Sequence, residues 1–190
     1  MGMSPVAKVW TREEVLALPD DGNRYELVDG ELLVSPSPRG AHQRGVGELY
    51  LLLAPYVRAH SLGYAAVSPA DLDLRSGQLL QPDLFVGAMV AGREPVDWAD
   101  YAIPILVVEV ASPSTARYDR ITKRRRYQRS GVPTYWIVDL DARLVELWTP
   151  DAERPAVEDE RLTWQPDPAV PALAIDLPDY FKTVWAETVR

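Results

Sequence analysis

The chain has 190 residues, is 47% hydrophobic and 25% charged, and carries a net charge of −8. That length fits one domain over 1–190 with a sizeable core, and the acidic balance argues against a protein that coats nucleic acid in bulk. The absence of cysteine excludes disulfides, thiolate zinc sites and cysteine nucleophiles, and fits a reducing cytoplasm.

The opening "MGMSPVAKVW" lacks an apolar targeting core, and no apolar run approaches the ~18 residues of a span, so no membrane partner is expected. "TREEVLAL" pairs Thr11 with Glu14 three residues on, a capping box that predicts a short helix. "RYELVDGELLVS" places two alternating arms around Asp29-Gly30, the signal of a tight hairpin. In the segment from His42 to His60, Val46, Leu49, Tyr50, Leu53 and Val57 recur at helical spacing, with Pro55 bending the helix or starting a new turn. "YAAVSPADLDLR" and "LLQPDLFVG" read as strands, and a loop over 91–102 separates them from the strand "IPILVVEVA". The basic stretch 117–129 reads as a helix stopped by Gly131 and Pro133. "TYWIVDL" and "RLVELWTP" predict a hairpin around Asp141. Beyond 150, prolines break the chain into short strands before a last helix near "DYFKTVWAET". Helices interleaved with strands predict an α/β or α+β sheet with helices packed on it.

Glu109 lies inside the apolar run "LVVEVA", where an unpaired carboxylate would cost several kcal/mol. Alternation puts Val107, Glu109 and Ala111 on one face of that strand. Asp83, after Pro82 and before Leu84-Phe85-Val86, is a second carboxylate in a similar setting. Two such acids on adjacent strands repel unless a cation sits between them. Oxygen-only ligation suits Mg²⁺ or Mn²⁺; alternatively each acid pairs with an arginine of the basic helix.

That helix carries seven basic side chains against one Asp over 117–129, in a chain with 17 arginines and three lysines. Lys123 stands within the arginine run, where a compact ammonium differs in kind from a guanidinium fork. Asp119, Lys123 and Tyr127 fall at i, i+4 and i+8 and form one polar stripe, in which Asp119 and Lys123 can be a weak surface ion pair. Arg124, Arg125 and Arg126 fan around the helix, so some of them face solvent or phosphates. His60 reads as a surface residue. Ser112 and Ser114 have no histidine in a triad context, and "SPST" reads as a strand end and helix cap.

Taken together, "YELVDGELLVSPSP", "HQ", "QPDLFV" and "LVVEVASPSTARYDRITKRRRYQRSGVPTYWIVD" closely resemble the bacterial Uma-two family of endonucleases, itself similar to a branch of the PD-(D/E)XK superfamily. The resemblance covers roughly residues 10 to 150, with the motif-bearing core about 24–149. It implies a restriction-endonuclease-like mixed sheet flanked by helices, with an N-terminal β-hairpin extension. It also implies that Asp83 and Glu109 bind a divalent metal, Mg²⁺ or Mn²⁺. The superfamily's usual lysine would stand at Ala111, and Lys123 is the candidate replacement. Glu26 is implied as a further catalytic acid, with Glu31 a weaker choice. His42 matches the family's His-Gln pair and either positions a phosphate or caps the long helix. Arg124, Arg125 and Tyr127 are expected on the substrate. Related nucleases often pair, so a homodimer is expected.

The function expected is metal-dependent hydrolysis of phosphodiester bonds in DNA, with Lys123 orienting or deprotonating the attacking water. The competing class is a catalytically silent module that binds nucleic acid or a protein on a nuclease-like scaffold, for which Ala111 and the acidic net charge speak. A carboxylate-pair glycosidase fits poorly beside a basic helix.

Overall fold

The computed structural model describes residues 8–74, 77–96, 102–113 and 115–187. Part of the loop predicted over 91–102, and Ser114, lie outside the described residues.

The predicted N-terminal elements form as read. Helix α1 (Arg12–Leu16) opens on Thr11, whose hydroxyl accepts from the Glu14 N–H while the Glu14 side chain accepts from the Thr11 N–H. Strands β1 (Arg24–Val28) and β2 (Glu31–Ser35) pair antiparallel, with Val28 opposite Glu31. Asp29 and Gly30 both have positive φ, 52° and 81°, which is the geometry a two-residue primed turn requires. Helix α2 (Gly40–Ala59) runs on with Pro55 inside it.

Both strands predicted around the next prolines are shorter than read. Strand β3 (Tyr64–Val67) stops before Pro69, and β4 (Leu84–Gly87) starts after Pro82, because proline cannot donate to a ladder. Between them the described residues make isolated bridges, Leu72 with Leu80 and Leu79 with Leu27 of the hairpin. Strand β5 (Leu106–Ala111) follows. The basic segment then opens as a π-helical turn (Tyr118–Lys123) before continuing as α3 (Arg124–Arg129). Gly131, at φ 76°, ends it as expected. Strands β6 (Tyr135–Asp139) and β7 (Leu144–Trp148) form the second hairpin. Then come β8 (Ala156–Glu158), β9 (Arg161–Trp164), β10 (Leu173–Asp176) and helix α4 (Leu177–Val184).

Six described strands form one mixed sheet in the order β3-β4-β5-β6-β7-β8. The β5–β6 pair is parallel and the other neighbours are antiparallel. Parallel pairing needs a crossover, and the basic π-turn and α3 supply it.

The two faces of β5 belong to different cores. Leu106, Val108 and Val110 pack with Leu49, Leu53 and Val57 of α2 and Phe181 of α4. Val107 and Ala111 pack with Val28 and Leu33 of the hairpin and Tyr127 of α3. Each fully buried side chain of this size contributes roughly 1.5–3 kcal/mol, so burial on both sides fixes the strand's register. Glu109, by alternation, is on the hairpin side. Among the described residues, no helix is long and apolar enough to cross a membrane.

Candidate active site

Strand pairing puts the two acids together. Leu84 lies opposite Val108 in the antiparallel ladder of β4 and β5, so extending it by one residue sets Asp83 beside Glu109. Asp83 also alternates with Phe85, which packs on the hairpin face. Its Oδ2 accepts the Val110 N–H at 2.9 Å, a side-chain bond where the backbone ladder ends.

The hairpin lies over this face and adds two charges from β1, where Arg24 and Glu26 share a side by alternation. Arg24 Nη1 donates to Asp83 Oδ1 at 2.9 Å and to the Gln81 carbonyl at 3.0 Å. Glu26 Oε1 accepts the Gln81 N–H at 2.8 Å. From the long helix, His42 Nε2 lies 3.3 Å from Asp83 Oδ1. The N-cap of α2 is Arg39, with no side-chain cap bond, so His42 is not the helix cap.

The π-turn and α3 close the cluster from the other end. Lys123 Nζ is 2.8 Å from Glu26 Oε2, 3.0 Å from Glu109 Oε1 and 3.7 Å from Asp119 Oδ1. The Tyr127 hydroxyl donates to Glu109 Oε1 at 3.1 Å. The stripe read from helical spacing therefore exists, but it faces the core rather than solvent: Asp119, Lys123 and Tyr127 are all buried. A surface ion pair between Asp119 and Lys123 is thus corrected to a buried one. Tyr127 is fully enclosed and holds the Glu109 carboxylate, so its direct partner is the acid rather than an exposed substrate.

Four buried carboxylates, Glu26, Asp83, Glu109 and Asp119, meet two permanent cations, Arg24 and Lys123. The consequence is uneven. Burial pushes Asp83 up, but His42, Arg24 and Lys123 outweigh it and hold the carboxyl low, at about 2. Burial pushes Glu109 well above the usual range; Lys123 opposes this, while Asp83, Asp119 and Glu26 add to it. Burial likewise raises Asp119 to about 6 against the pull of Lys123. Burial alone would lower Lys123, yet Glu109, Glu26 and Asp119 hold it above its ordinary value, so it remains an ammonium.

Among the described residues, no three His, Cys, Asp or Glu side chains converge as a ready-made metal cluster, because Arg24 and Lys123 stand among the acids. Mg²⁺ does not require such a cluster, since it takes one or two carboxylates and keeps several waters. The all-oxygen donors and the surplus negative charge fit a hard divalent cation.

The other candidates lie apart from this cluster. Glu31 is exposed and, with Arg125, lines a separate cleft of about 530 Å³ between the hairpin turn and the basic helix. Arg124 donates to the Arg120 carbonyl and to Gln128, and stacks over Trp148 at 4.5 Å. Arg126 reaches Asp29 at 3.5 Å. Asp83 and His42 instead line a cleft of about 520 Å³ on the side of Ser68 and Pro69, so the basic run and the acids do not share one mouth. His60 packs on Tyr56 at 4.8 Å between ring centres. Ser112 and Thr115 bond to each other's backbone N–H, reciprocal bonds of the kind a helix cap makes, at the strand end and cap read from "SPST".

Sequence reading missed Arg24, and it left Asp119 on the surface. The period-2 pairing of Arg24 with Glu26 was the available signal for the first. For the second, spacing shows which residues share a stripe, but not whether that stripe is buried.

Of the known families, Uma2, described as "Putative restriction endonuclease", matches residues 12–178. No curated protein matches the chain. Its fold is similar to a crystal structure described as "a putative nuclease belonging to DUF820 from Anabaena variabilis ATCC 29413". The TM-score is 0.69 and the identity 22%, over 92% of this chain and 99% of that one. The mixed sheet with its flanking helices is thus a nuclease-like fold, and the chain belongs to the Uma2 family.

Proposed function

We propose that this Uma2-family chain is a metal-dependent phosphodiesterase acting on DNA, with Asp83 and Glu109 holding a Mg²⁺ or Mn²⁺ ion. The observation that carries the reading is the charge imbalance around β5: four buried carboxylates against two permanent cations. When bound, a divalent ion supplies the missing positive charge, polarises the phosphate and makes hydroxide available near neutral pH.

The chain's own residues prepare for that chemistry. The Val110 N–H and Arg24 fix the Asp83 carboxylate, and the Tyr127 hydroxyl fixes that of Glu109. Such supporting bonds keep reacting groups within a few tenths of an ångström of a productive geometry. The Lys123 ammonium, 3.0 Å from Glu109, stands in for the lysine that Ala111 lacks. It orients the attacking water and stabilises negative charge developing on the phosphate. Glu26 anchors that ammonium from the hairpin. A homodimer would offer one such site to each strand of a duplex, and light scattering should return the mass of two chains.

The test is cleavage of plasmid and single-stranded DNA by the purified protein with Mg²⁺ or Mn²⁺. Wild type should cleave, EDTA should stop it, and Asp83→Ala and Glu109→Ala should each lower the rate by about 10³-fold or more, given the weight of electrostatic stabilisation in such sites. Equal inactivity of wild type and Glu109→Ala, with no metal bound, would replace this reading by the silent binding module. That module predicts metal-independent, salt-sensitive DNA binding lost on neutralising Arg124, Arg125 and Arg126.

A further inference from the structure

Arg24 uses only one end of its guanidinium within the protein. Nη1 makes every polar contact of the side chain: Asp83 Oδ1 at 2.9 Å, the Gln81 carbonyl at 3.0 Å and Ser68 Oγ at 3.5 Å. Among the described residues, nothing accepts from Nε or Nη2, and neither atom is a buried donor without a partner. The side chain is 20% exposed. It lines both the cleft of about 520 Å³ and a neighbouring one of about 230 Å³.

His42 lines the same two clefts. Its Nδ1 is buried and has no hydrogen-bond partner among the described residues. An unmatched polar atom at the mouth points to a polar occupant, since buried polar groups are otherwise paired. Neutralising Asp83 needs a single donor, which a lysine would provide. A planar fork anchored by one nitrogen, with two donors left over, matches the oxygens of a phosphate.

We propose that Arg24 binds a phosphate of the nucleic-acid strand through Nε and Nη2, at the cleft shared with His42, while Nη1 stays on Asp83. This deepens the nuclease reading and rests on it for the identity of the ligand. It also moves the phosphate contact from the basic helix to the hairpin. There, one side chain links the strand's position to the carboxylate of the reacting centre.

The experiment uses the full chain and a short fluorescein-labelled single strand, followed by anisotropy over a range of NaCl, in EDTA and with Ca²⁺ in place of Mg²⁺. Wild type should bind in at least one condition. Arg24→Gln and Arg24→Lys should both weaken binding by roughly tenfold or more, the value of a charged hydrogen-bond pair. Arg24→Gln should reduce the salt slope by about 0.7. In cleavage assays both variants should raise KM by a similar factor. If Arg24→Gln melts below wild type, Arg24→Lys, which keeps a cation on Asp83, decides the matter.

Wild-type affinity and KM retained in Arg24→Lys would overturn the proposal, as would failure of wild type to bind in either condition. Cleavage by wild type with unchanged binding in Arg24→Lys would sink the phosphate site and leave the nuclease reading standing. Binding lost in Arg24→Lys, with no cleavage by wild type under any metal, would do the reverse.

Discussion

Burial of Glu109 carries an electrostatic penalty whose sign sets a pH dependence. Its folded value lies above the ordinary carboxyl range because burial and three neighbouring acids outweigh Lys123. A group raised on folding binds more protons in the native state, so its stabilising effect is complete below the unfolded value near 4.3 and is lost as pH rises through the folded one. Without metal, the denaturant midpoint should therefore fall as pH climbs from about 4.5. Glu109→Gln should flatten that fall, and an unchanged slope in the variant would show that Glu109 is ionised throughout. Lys123 is the converse case. Removing it leaves Glu26, Glu109 and Asp119 uncompensated in the interior, so Lys123→Met should cost about 3–5 kcal/mol. Adding Glu26→Gln should recover part of that loss, because the two residues are in contact. Chemical denaturation of the two variants measures both.

At the scale of elements, the π-helical turn is the feature that delivers Lys123. It spans Tyr118–Lys123 and passes directly into α3, and π-turns of this kind recur at functional sites. Deleting Thr122 should restore α-helical register, turn Lys123 away from Glu109 and abolish cleavage, while circular dichroism still reports the native fold. Cleavage at the wild-type rate would show that the turn has no part in the site. The edge pair β3–β4 offers a test of packing alone. A Cβ on Gly87 would run into the ring and hydroxyl of Tyr64, its partner in the ladder. Gly87→Ala should thus cost about 1–3 kcal/mol without altering metal affinity; thermal melts and metal titration separate the two effects. The Tyr64 ring also packs edge-on against Phe85, 6.1 Å between ring centres, which restrains it from swinging aside.

Over the whole molecule, the charge distribution suits the proposed cation site more than a broad anion-binding surface. A net −8 coexists with a carboxylate cluster in which burial pushes Glu109 and Asp119 above the ordinary carboxyl range. A metal entering that cluster would displace protons held there. Calorimetric titration of Mn²⁺ in two buffers of different ionisation enthalpy should reveal proton release near neutral pH, and affinity should rise with pH through about 6, the value reached by Asp119. Binding without proton release would mean that the ion sits elsewhere.

Sequence alone determined the local geometry, because it depends on near neighbours. The Asp29-Gly30 turn, the Thr11 cap and the alternation that puts Glu109 on one face with Ala111 all follow from short-range sterics and periodicity. So does the family, whose motifs survive as a linear order. Tertiary structure alone decided which charges meet. Arg24 reaches Asp83 across 59 positions of sequence and Lys123 reaches Glu26 across the interior, because the hairpin and the basic helix pack on the same face of β5. Helical spacing could not reveal that the stripe of Asp119, Lys123 and Tyr127 faces inward. Nor could composition show that Arg124 and Arg126 of the arginine run engage Gln128, Trp148 and Asp29 away from the cleft that Asp83 lines. Period-2 and period-3.6 patterns fix a side chain's direction relative to its own backbone; only long-range packing fixes what stands in that direction.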